Sequence, residues 1–175
     1  MTEDGKKIKL PKIFDENPDL KKRLQEQLKA IPEEERKRNI EAVRRFIEGE
    51  ITWAEVKNVP KRVLKELARV AYVKFKAGDY EKAEILFKGL AVYDHMNWYY
   101  RSALGAVLQK QSKFDLAIDE YNIALELNPD EVTSLVNRGQ CYFRVQDFDA
   151  ALDDFNQVLK LDIDDKNPWK LRAKT

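Results

Sequence analysis

The stretch SALGAVLQKQSKFDLAIDEYNIALELNPD, residues 102–130, is the most informative about the fold, because its pattern recurs at an interval of 34 residues. Ala117 in this stretch has counterparts at Ala83 and Ala151, and other positions repeat in the same phase. These positions are Tyr80, Phe114 and Phe148; Phe87, Tyr121 and Phe155; Ala71, Gly105 and Gly139; and Asp94, Asn128 and Asp162. Self-similarity at this interval predicts a repeat protein with three stacked units.

Each unit is predicted to be a pair of helices, so the fold class is all-α. A small residue on the first helix, such as Gly105, lets the two helices approach closely. An aromatic residue of the second helix, such as Tyr121, then fills the space beside it. We therefore expect the aromatic residues in these columns to lie in the core: Tyr80, Phe87, Phe114, Tyr121, Phe148 and Phe155.

The composition bounds the class of protein. The chain has 175 residues, 43% of them hydrophobic, which suffices for one domain with a core. Its net charge is +1, made up of +4 over residues 1–97, −7 over 98–165 and +4 over 166–175. This balance argues against general nucleic-acid binding, which needs a dominant basic surface. The charge blocks are either solvated helix faces or regions that attract one another head to tail, within or between chains.

The sequence predicts neither an enzyme nor a metal site, and we expect no cofactor. His95 is the one histidine and Cys141 the one cysteine, and no metal-ligand spacing or phosphate-binding loop occurs. Cys141 lies near Gly139 and is predicted to be buried. A single cysteine cannot form an internal disulfide, and the sequence has neither a signal-peptide pattern nor a membrane-spanning run. We therefore expect a cytoplasmic chain that does not insert into membranes.

A stack of repeats needs caps at both ends. Residues 32–63 are predicted to form capping helices, with a stop at Gly49, a capping box at Thr52 and Glu55, and Pro60 opening the first repeat. Residues 1–31 are a charged segment, partly helical or disordered, and whether it occupies the stack as a ligand mimic is left open. Residues 166–175 are predicted to form only a short helix, which is less than a full cap. We therefore expect either that another chain covers the C-terminal end of the stack or that the natural protein continues.

The repeated positions resemble the tetratricopeptide repeat, whose pattern runs Leu-Gly, Gly-x-Tyr, Ala-x-x-x-Phe and then Pro. Residues 102–130 match it nearly throughout, although only the middle repeat ends in the expected proline, Pro129. The resemblance implies repeats at 64–97, 98–131 and 132–165, stacked as a right-handed solenoid.

In such a stack the first helix of each pair lines a concave groove. Because Ala71, Gly105 and Gly139 mark the packed side, the next residue and the one three further on should face the groove. With the positions one turn earlier, the predicted groove residues are Ala68, Tyr72, Phe75, Ser102, Ala106, Gln109, Val136, Gln140 and Phe143, and Lys76, Lys110 and Arg144 lie near the rim. Exposed aromatic residues in a groove predict a bound peptide.

The same helices argue against one kind of ligand. Tetratricopeptide domains that hold the acidic C-terminus of heat-shock chaperones use Lys, Asn and Arg on these helices. The corresponding positions here are Ala68, Tyr72, Ala103, Thr133 and Asn137. Four of these five side chains cannot act as such a clamp, so the groove is expected to take an apolar ligand.

Residues 46–160 resemble a narrower family, the class II chaperones of bacterial type III secretion. The match includes FIEGEIT at 46–52, LARVAYVKFKAGDYEKA at 67–83, YDH at 93–95 and LGAVLQ at 104–109. It implies a cytoplasmic chaperone that holds an extended Pro-x-Leu-x-x-Pro-like segment of a secreted hydrophobic translocator. Tyr72, Phe75 and Tyr80 match the family's aromatic groove positions, so Tyr80 is claimed both as core and as groove wall.

The resemblance also implies a possible homodimer through the N-terminal helices, whose apolar stripe here is Ile40, Val43, Phe46 and Ile47. The alternative is a generic tetratricopeptide scaffold that assembles other proteins and has no chaperone role. The sequence identifies neither the client nor the oligomeric state.

Overall fold

A computed structural model of the chain describes Lys22, Glu26 and residues 30–161, 164 and 166–174. Every regular element in this part is a helix, which confirms the all-α prediction. The helices are α1 (Glu33–Ile47), α2 (Trp53–Val56), α3 (Lys61–Lys76), α4 (Tyr80–Tyr93), α5 (Trp98–Lys110), α6 (Phe114–Leu127), α7 (Val132–Arg144), α8 (Phe148–Lys160) and α9 (Pro168–Ala173). The predictions for residues 1–31 fall almost entirely outside the described residues.

The chain divides into two compact units, Met1–Glu50 and Ile51–Thr175. The first contains α1, which has three glutamates in its first turn and two arginines in its last, as the helix dipole favours. Gly49 follows it with φ +77°, the left-handed backbone expected of a helix stop. On the apolar stripe of α1, Ile40 and Ile47 are 60% and 77% exposed.

The second unit opens with the capping box that the sequence predicts. The backbone N–H of Thr52 donates to Glu55 Oε2 at 2.7 Å, and the Glu55 N–H donates to Thr52 Oγ1 at 3.3 Å. The box starts α2, whose Ala54 is buried and which packs against α4. Pro60 then precedes α3, as predicted.

Three helix pairs follow, α3–α4, α5–α6 and α7–α8. The turn between the two helices of each pair contains one residue with a left-handed backbone conformation. These residues are Gly78, Ser112 and Gln146, with φ of 79°, 62° and 67°, and they keep the 34-residue interval. After the turn, Asp79 and Asp147 accept backbone N–H bonds at the starts of α4 and α8. The regular turn holds the two helices of each pair in the same antiparallel arrangement three times.

The seam, defined here as the contact surface between the two helices of a pair, has the predicted small-residue and aromatic chemistry. A Cβ added to Gly105 would lie 2.8 Å from Tyr121 Cε1, and one added to Gly139 would lie 2.7 Å from Phe155 Cε1. In the first pair Ala71 is fully buried and Phe87 is 1% exposed. The glycines therefore allow an approach that a larger residue would prevent.

One core prediction is wrong, because Phe148 is 57% exposed. Its counterparts Tyr80 and Phe114 are partly buried against the main hydrophobic cluster. Phe148 begins α8, the second helix of the last pair, and in the described residues no further pair follows to cover it. Only the six-residue α9 comes after, and its Ala173 and Trp169 pack in a second cluster with Leu135, Val136 and Val158.

Ion pairs also fasten the helices to one another. In the third pair, Arg138 donates to both carboxylate oxygens of Asp154, at 2.9 and 2.6 Å, and to Asn122 Oδ1 of α6 at 2.7 Å. In the second pair, Arg101 donates to Glu120 at 3.0 Å. Burial raises the pKa of Asp154, and its bonds with Arg138 only partly offset this effect.

Candidate functional site: an aromatic-ended groove

An open groove of about 1520 Å³ runs along the first helices of the three pairs. The side chains come from α3, α5 and α7, with further walls from the second helices and from α9. Its lining is Tyr72, Phe75, Lys76, Phe87, Trp98, Tyr99, Ser102, Ala103, Ala106, Gln109, Lys110, Ser112, Phe114, Glu131, Thr133, Asn137, Gln140, Phe143, Arg144, Phe148, Ala151, Leu152, Phe155, Trp169 and Arg172.

One end of the groove is aromatic and is formed by α3 and the start of α5. The rings of Tyr72 and Phe75 lie 6.4 Å apart, and those of Trp98 and Tyr99 lie 6.2 Å apart. Tyr72 is 48% exposed, so a ligand can reach its ring. The pKa of Tyr99 is raised by burial and then by Tyr72, so the Tyr99 phenol stays neutral at physiological pH.

The opposite end is a second aromatic group, formed by α7, α8 and α9. Phe143 and Phe148 meet edge to face at 5.4 Å between ring centroids. Phe143 is 60% exposed although it is a large apolar side chain. Leu152 and Trp169 continue this wall. Rings exposed in this way at both ends offer anchoring surfaces for an apolar segment.

The middle of the groove is built from small and amide side chains. Gln109 Nε2 donates to Gln140 Oε1 at 3.4 Å, which joins α5 to α7. The Tyr121 hydroxyl donates to Gln109 Oε1 at 3.1 Å, which fixes the amide against the seam. Below this floor Ser134 Oγ donates to Ser102 Oγ at 2.8 Å. An extended backbone laid over this region would meet side chains that both donate and accept hydrogen bonds.

The sequence pattern of one known family, the tetratricopeptide repeat, matches residues 102–168. A solved structure of a type III secretion complex from Aeromonas hydrophila superposes with a TM-score of 0.72 at 24% identity, covering 76% of this chain and 90% of that one. The fold is the tetratricopeptide repeat fold.

Two further solved structures of this fold contain peptides. The Yersinia enterocolitica secretion chaperone SycD, in complex with a peptide of the translocator YopD, has a TM-score of 0.61 at 24% identity over 66% of this chain and 88% of that one. The first tetratricopeptide domain of Spaghetti (RPAP3), bound to an HSP90 peptide, has a TM-score of 0.60 at 23% identity over 66% of this chain and 88% of that one. At sequence identities this low, the superpositions establish a shared fold and no shared function.

Curated relatives resemble the chain more locally. Chaperone protein SicA of Salmonella dublin is 31% identical over 90 residues, which are 51% of this chain and 54% of the relative. Low calcium response locus protein H of Yersinia pestis is 28% identical over 100 residues, 57% of this chain and 60% of the relative. The match thus spans little more than half the length of these relatives.

Within the tetratricopeptide fold, seven of the ten residues predicted to bind peptide line the groove. They are Tyr72, Phe75, Ser102, Ala106, Gln109, Gln140 and Phe143. Direct contact with a ligand stays a prediction for all of them.

The other three predicted residues lie beside the groove or beneath it. Val136 is fully buried, because it packs in the cluster that includes Ala173 of α9. Ala68 is 7% exposed and lines a smaller neighbouring cleft. Tyr80 is partly buried and its ring lies 5.8 Å from that of Phe75, so it supports the groove wall from behind.

Sequence reasoning missed several aromatic lining residues: Trp98, Tyr99, Phe148 and Trp169. A signal existed for Tyr99, which lies three residues before Ser102 and so shares its helical face. None existed for Trp169, because its position depends on how α9 packs against α7 and α8.

Three further features of the described residues concern membrane spans, metal sites and the cysteine. No helix among them is both long enough and apolar enough to cross a bilayer. Nor do they contain a group of three His, Cys, Asp or Glu residues placed to hold a metal ion. Cys141 is buried as predicted, and burial raises the pKa of its thiol to about 12, so it is a poor nucleophile.

Proposed function

We propose that the chain is a chaperone that holds an extended apolar segment of a secreted translocator protein in the groove. The segment is of the Pro-x-Leu-x-x-Pro kind, and binding keeps the client soluble in the cytoplasm before type III secretion. The role is binding without catalysis. The observation that carries the proposal is the open groove with exposed aromatic rings at both ends.

The physical reason is the cost of leaving such rings in water without a partner. Tyr72 and Phe143 are 48% and 60% exposed on a concave surface, where a ligand can cover both sides of a ring. Aromatic anchors of this kind contribute about 2 kcal/mol each to peptide binding. A translocator has apolar membrane segments that aggregate in water, so occupying one of them protects the client.

The relatives support this choice among the many functions that the fold can serve. SicA is named a chaperone, and SycD is solved with a peptide of a translocator. We extend the same ligand class to this chain, with contacts from Tyr72, Phe75, Ser102, Ala106, Gln109, Gln140 and Phe143. Ala68, Tyr80 and Val136 are proposed to position that wall.

We further propose that α1 mediates homodimer formation through Ile40, Val43, Phe46 and Ile47. The exposure of Ile40 and Ile47 supports an apolar contact surface on this helix.

The alternative function is a scaffold that binds other proteins and protects no client. The tetratricopeptide domain of RPAP3 has the same fold and binds an HSP90 peptide, so fold alone does not select the chaperone. Measuring the solubility of a co-expressed translocator distinguishes the chaperone from the scaffold, because only a chaperone raises its soluble fraction.

The experiment is a titration of a fluorescently labelled Pro-x-Leu-x-x-Pro peptide with the purified protein and with the double variant Tyr72→Ala/Phe75→Ala. We expect the double variant to bind about tenfold or more weakly. Its thermal stability should fall only moderately, because Tyr72 is exposed whereas Phe75 is partly buried against the main hydrophobic cluster.

The matched control is Ile85→Ala/Val92→Ala, which removes two exposed apolar side chains of α4 that do not line the groove. Absence of wild-type binding at high micromolar concentrations would favour the scaffold. Equal losses in both double variants would place the binding surface outside the groove.

A further inference from the structure

Three cationic side chains line the groove at one repeated position. Lys76, Lys110 and Arg144 lie in the last turns of α3, α5 and α7, at the 34-residue interval. All three are exposed and all three line the groove. Among the described residues, no ion pair involves any of them. We call this set the cationic row.

The groove itself does not neutralise the row. Within the described part of the chain its one lining carboxylate is Glu131, whose two oxygens accept the backbone N–H groups of Thr133 and Ser134 at 3.1 and 2.6 Å. Glu131 is therefore engaged in capping α7. Arg172, the remaining charged lining residue, lies with its guanidinium 5.2 Å from the centre of the Trp169 ring.

The row is more notable because it lies largely in the acidic part of the chain. Residues 98–165 have a net charge of −7 and only six basic side chains. Three of these six are in ion pairs, namely Arg101, Lys113 and Arg138. Lys110 and Arg144 belong to the row, and Lys160 is exposed on α8. With the exception of Lys160, the basic side chains in this region thus either form ion pairs or line the groove.

Helix-dipole stabilisation explains part of this arrangement but not all of it. A cation in the last turn of a helix is favourable wherever it points. That effect does not require all three cations to lie on the groove side, directly after the lining residues Phe75, Gln109 and Phe143. The row also lies one turn beyond Tyr72, so it is distinct from the five clamp positions considered above.

We propose that the groove selects a client segment whose apolar anchors are accompanied by carboxylates along one edge, each facing one cation of the row. This inference rests on the proposed function and specifies its ligand. Packed helices lie about 10 Å apart, α5 and α7 are in contact, and the 34-residue repeat extends this spacing to α3. An extended chain advances about 3.3 Å per residue. The matching carboxylates therefore recur every third residue, at i, i+3 and i+6.

The test compares two labelled peptides with the same Pro-x-Leu-x-x-Pro anchors, one with Glu and one with Gln at three positions spaced by three. Wild-type protein should bind the Glu peptide about tenfold more tightly in low salt. The preference should shrink as salt rises to about 0.5 M, because these charges are exposed. This comparison needs no variant, so it cannot fail through misfolding.

The variant test uses Lys76→Gln/Lys110→Gln/Arg144→Gln, which should bind the Glu and Gln peptides with equal affinity. The matched control, Lys61→Gln/Arg62→Gln/Lys160→Gln, removes the same charge from exposed residues outside the groove and should retain the preference.

Each outcome bears on a different claim. Equal wild-type binding of the two peptides would overturn the carboxylate preference and leave the chaperone proposal standing. Loss of the preference in the control variant would also overturn it, because net charge and not the row would then be responsible. Binding of neither peptide would overturn the proposed function, and this inference with it.

Discussion

Two adjacent columns of the repeat behave in opposite ways. Ala71, Gly105 and Gly139 are all small and buried, and the two glycines each face an aromatic ring of the second helix. The next residues along the chain are Tyr72, Ala106 and Gln140, which line the groove. Their side chains are of three different kinds: aromatic, small and amide. Helix packing allows few solutions, so the seam repeats, whereas the groove is free to vary with what it binds.

This contrast separates the two kinds of effect that a substitution can have. Changes in the seam should lower the free energy of unfolding, because they create strain or leave buried charge without a partner. Changes in the groove should lower peptide affinity at nearly constant stability, because exposed side chains contribute little to the folded state. Substitutions at Arg138, Gly139 and Phe143 test this separation, and their expected cost in stability decreases in that order.

Arg138→Met should destabilise the protein most, by about 3 kcal/mol. Asp154 is 3% exposed, and the substitution removes the guanidinium that donates to both of its oxygens. The carboxylate must then either stay charged without that partner or take up a proton. Urea unfolding followed by circular dichroism measures the loss.

The control for Arg138 is Arg69→Met, which removes an exposed ion pair with Glu66 on α3. Exposed pairs contribute little, so this variant should unfold close to the wild type. If the two variants lose similar stability, the Arg138–Asp154 pair does not fasten α7 to α8 as we describe.

Gly139→Ala should cost about 2 kcal/mol, because its Cβ would lie 2.7 Å from Phe155 Cε1 and the ring must move. Gly89→Ala is the matched control, since Gly89 lies inside α4 and an added Cβ would meet nothing within 4 Å beyond its chain neighbours and the backbone of its own helix. That change should stabilise the protein by about 0.5–1 kcal/mol, through helix propensity alone. Opposite shifts in melting temperature would support the seam, and a gain in both variants would contradict it.

The seam could be predicted from the sequence because its period is rigid. Gly105 and Gly139 fall in phase with their aromatic partners, and the structure places them in contact as expected. The capping box of Thr52 and Glu55 was equally predictable, because it depends only on residues three apart. In both cases local geometry determines the contact.

Burial at the end of the stack could not be predicted in this way. Phe148 occupies the same column as Tyr80 and Phe114 but lacks a following helix pair in the described residues. Val136 is one turn from Gln140 on α7, yet it is buried because α9 contributes Ala173 to its cluster. A periodic pattern identifies equivalent positions, whereas burial depends on what lies next to each of them.

Phe143→Ala should change stability least and still weaken peptide binding. Phe143 is 60% exposed, and its main ring contact is with Phe148, itself 57% exposed. Losing this edge-to-face contact costs about 0.5–1 kcal/mol. Phe143 is the penultimate residue of α7, so the higher helix propensity of alanine offsets only part of this cost. The net loss in unfolding free energy should therefore stay below about 1 kcal/mol.

Peptide affinity should nevertheless fall about fivefold or more, since an aromatic anchor at one end of the groove is gone. Parallel urea unfolding and peptide titration on the same preparation measure both quantities, and Phe143→Tyr, which keeps the ring, should bind as the wild type does. A variant that loses stability and affinity together would assign Phe143 to the core. A variant that loses neither would restrict the anchoring surface to the Tyr72 end. If Phe143 is a surface ring of α7 that contacts a ligand, its substitution must lower peptide affinity while the unfolding free energy stays nearly constant.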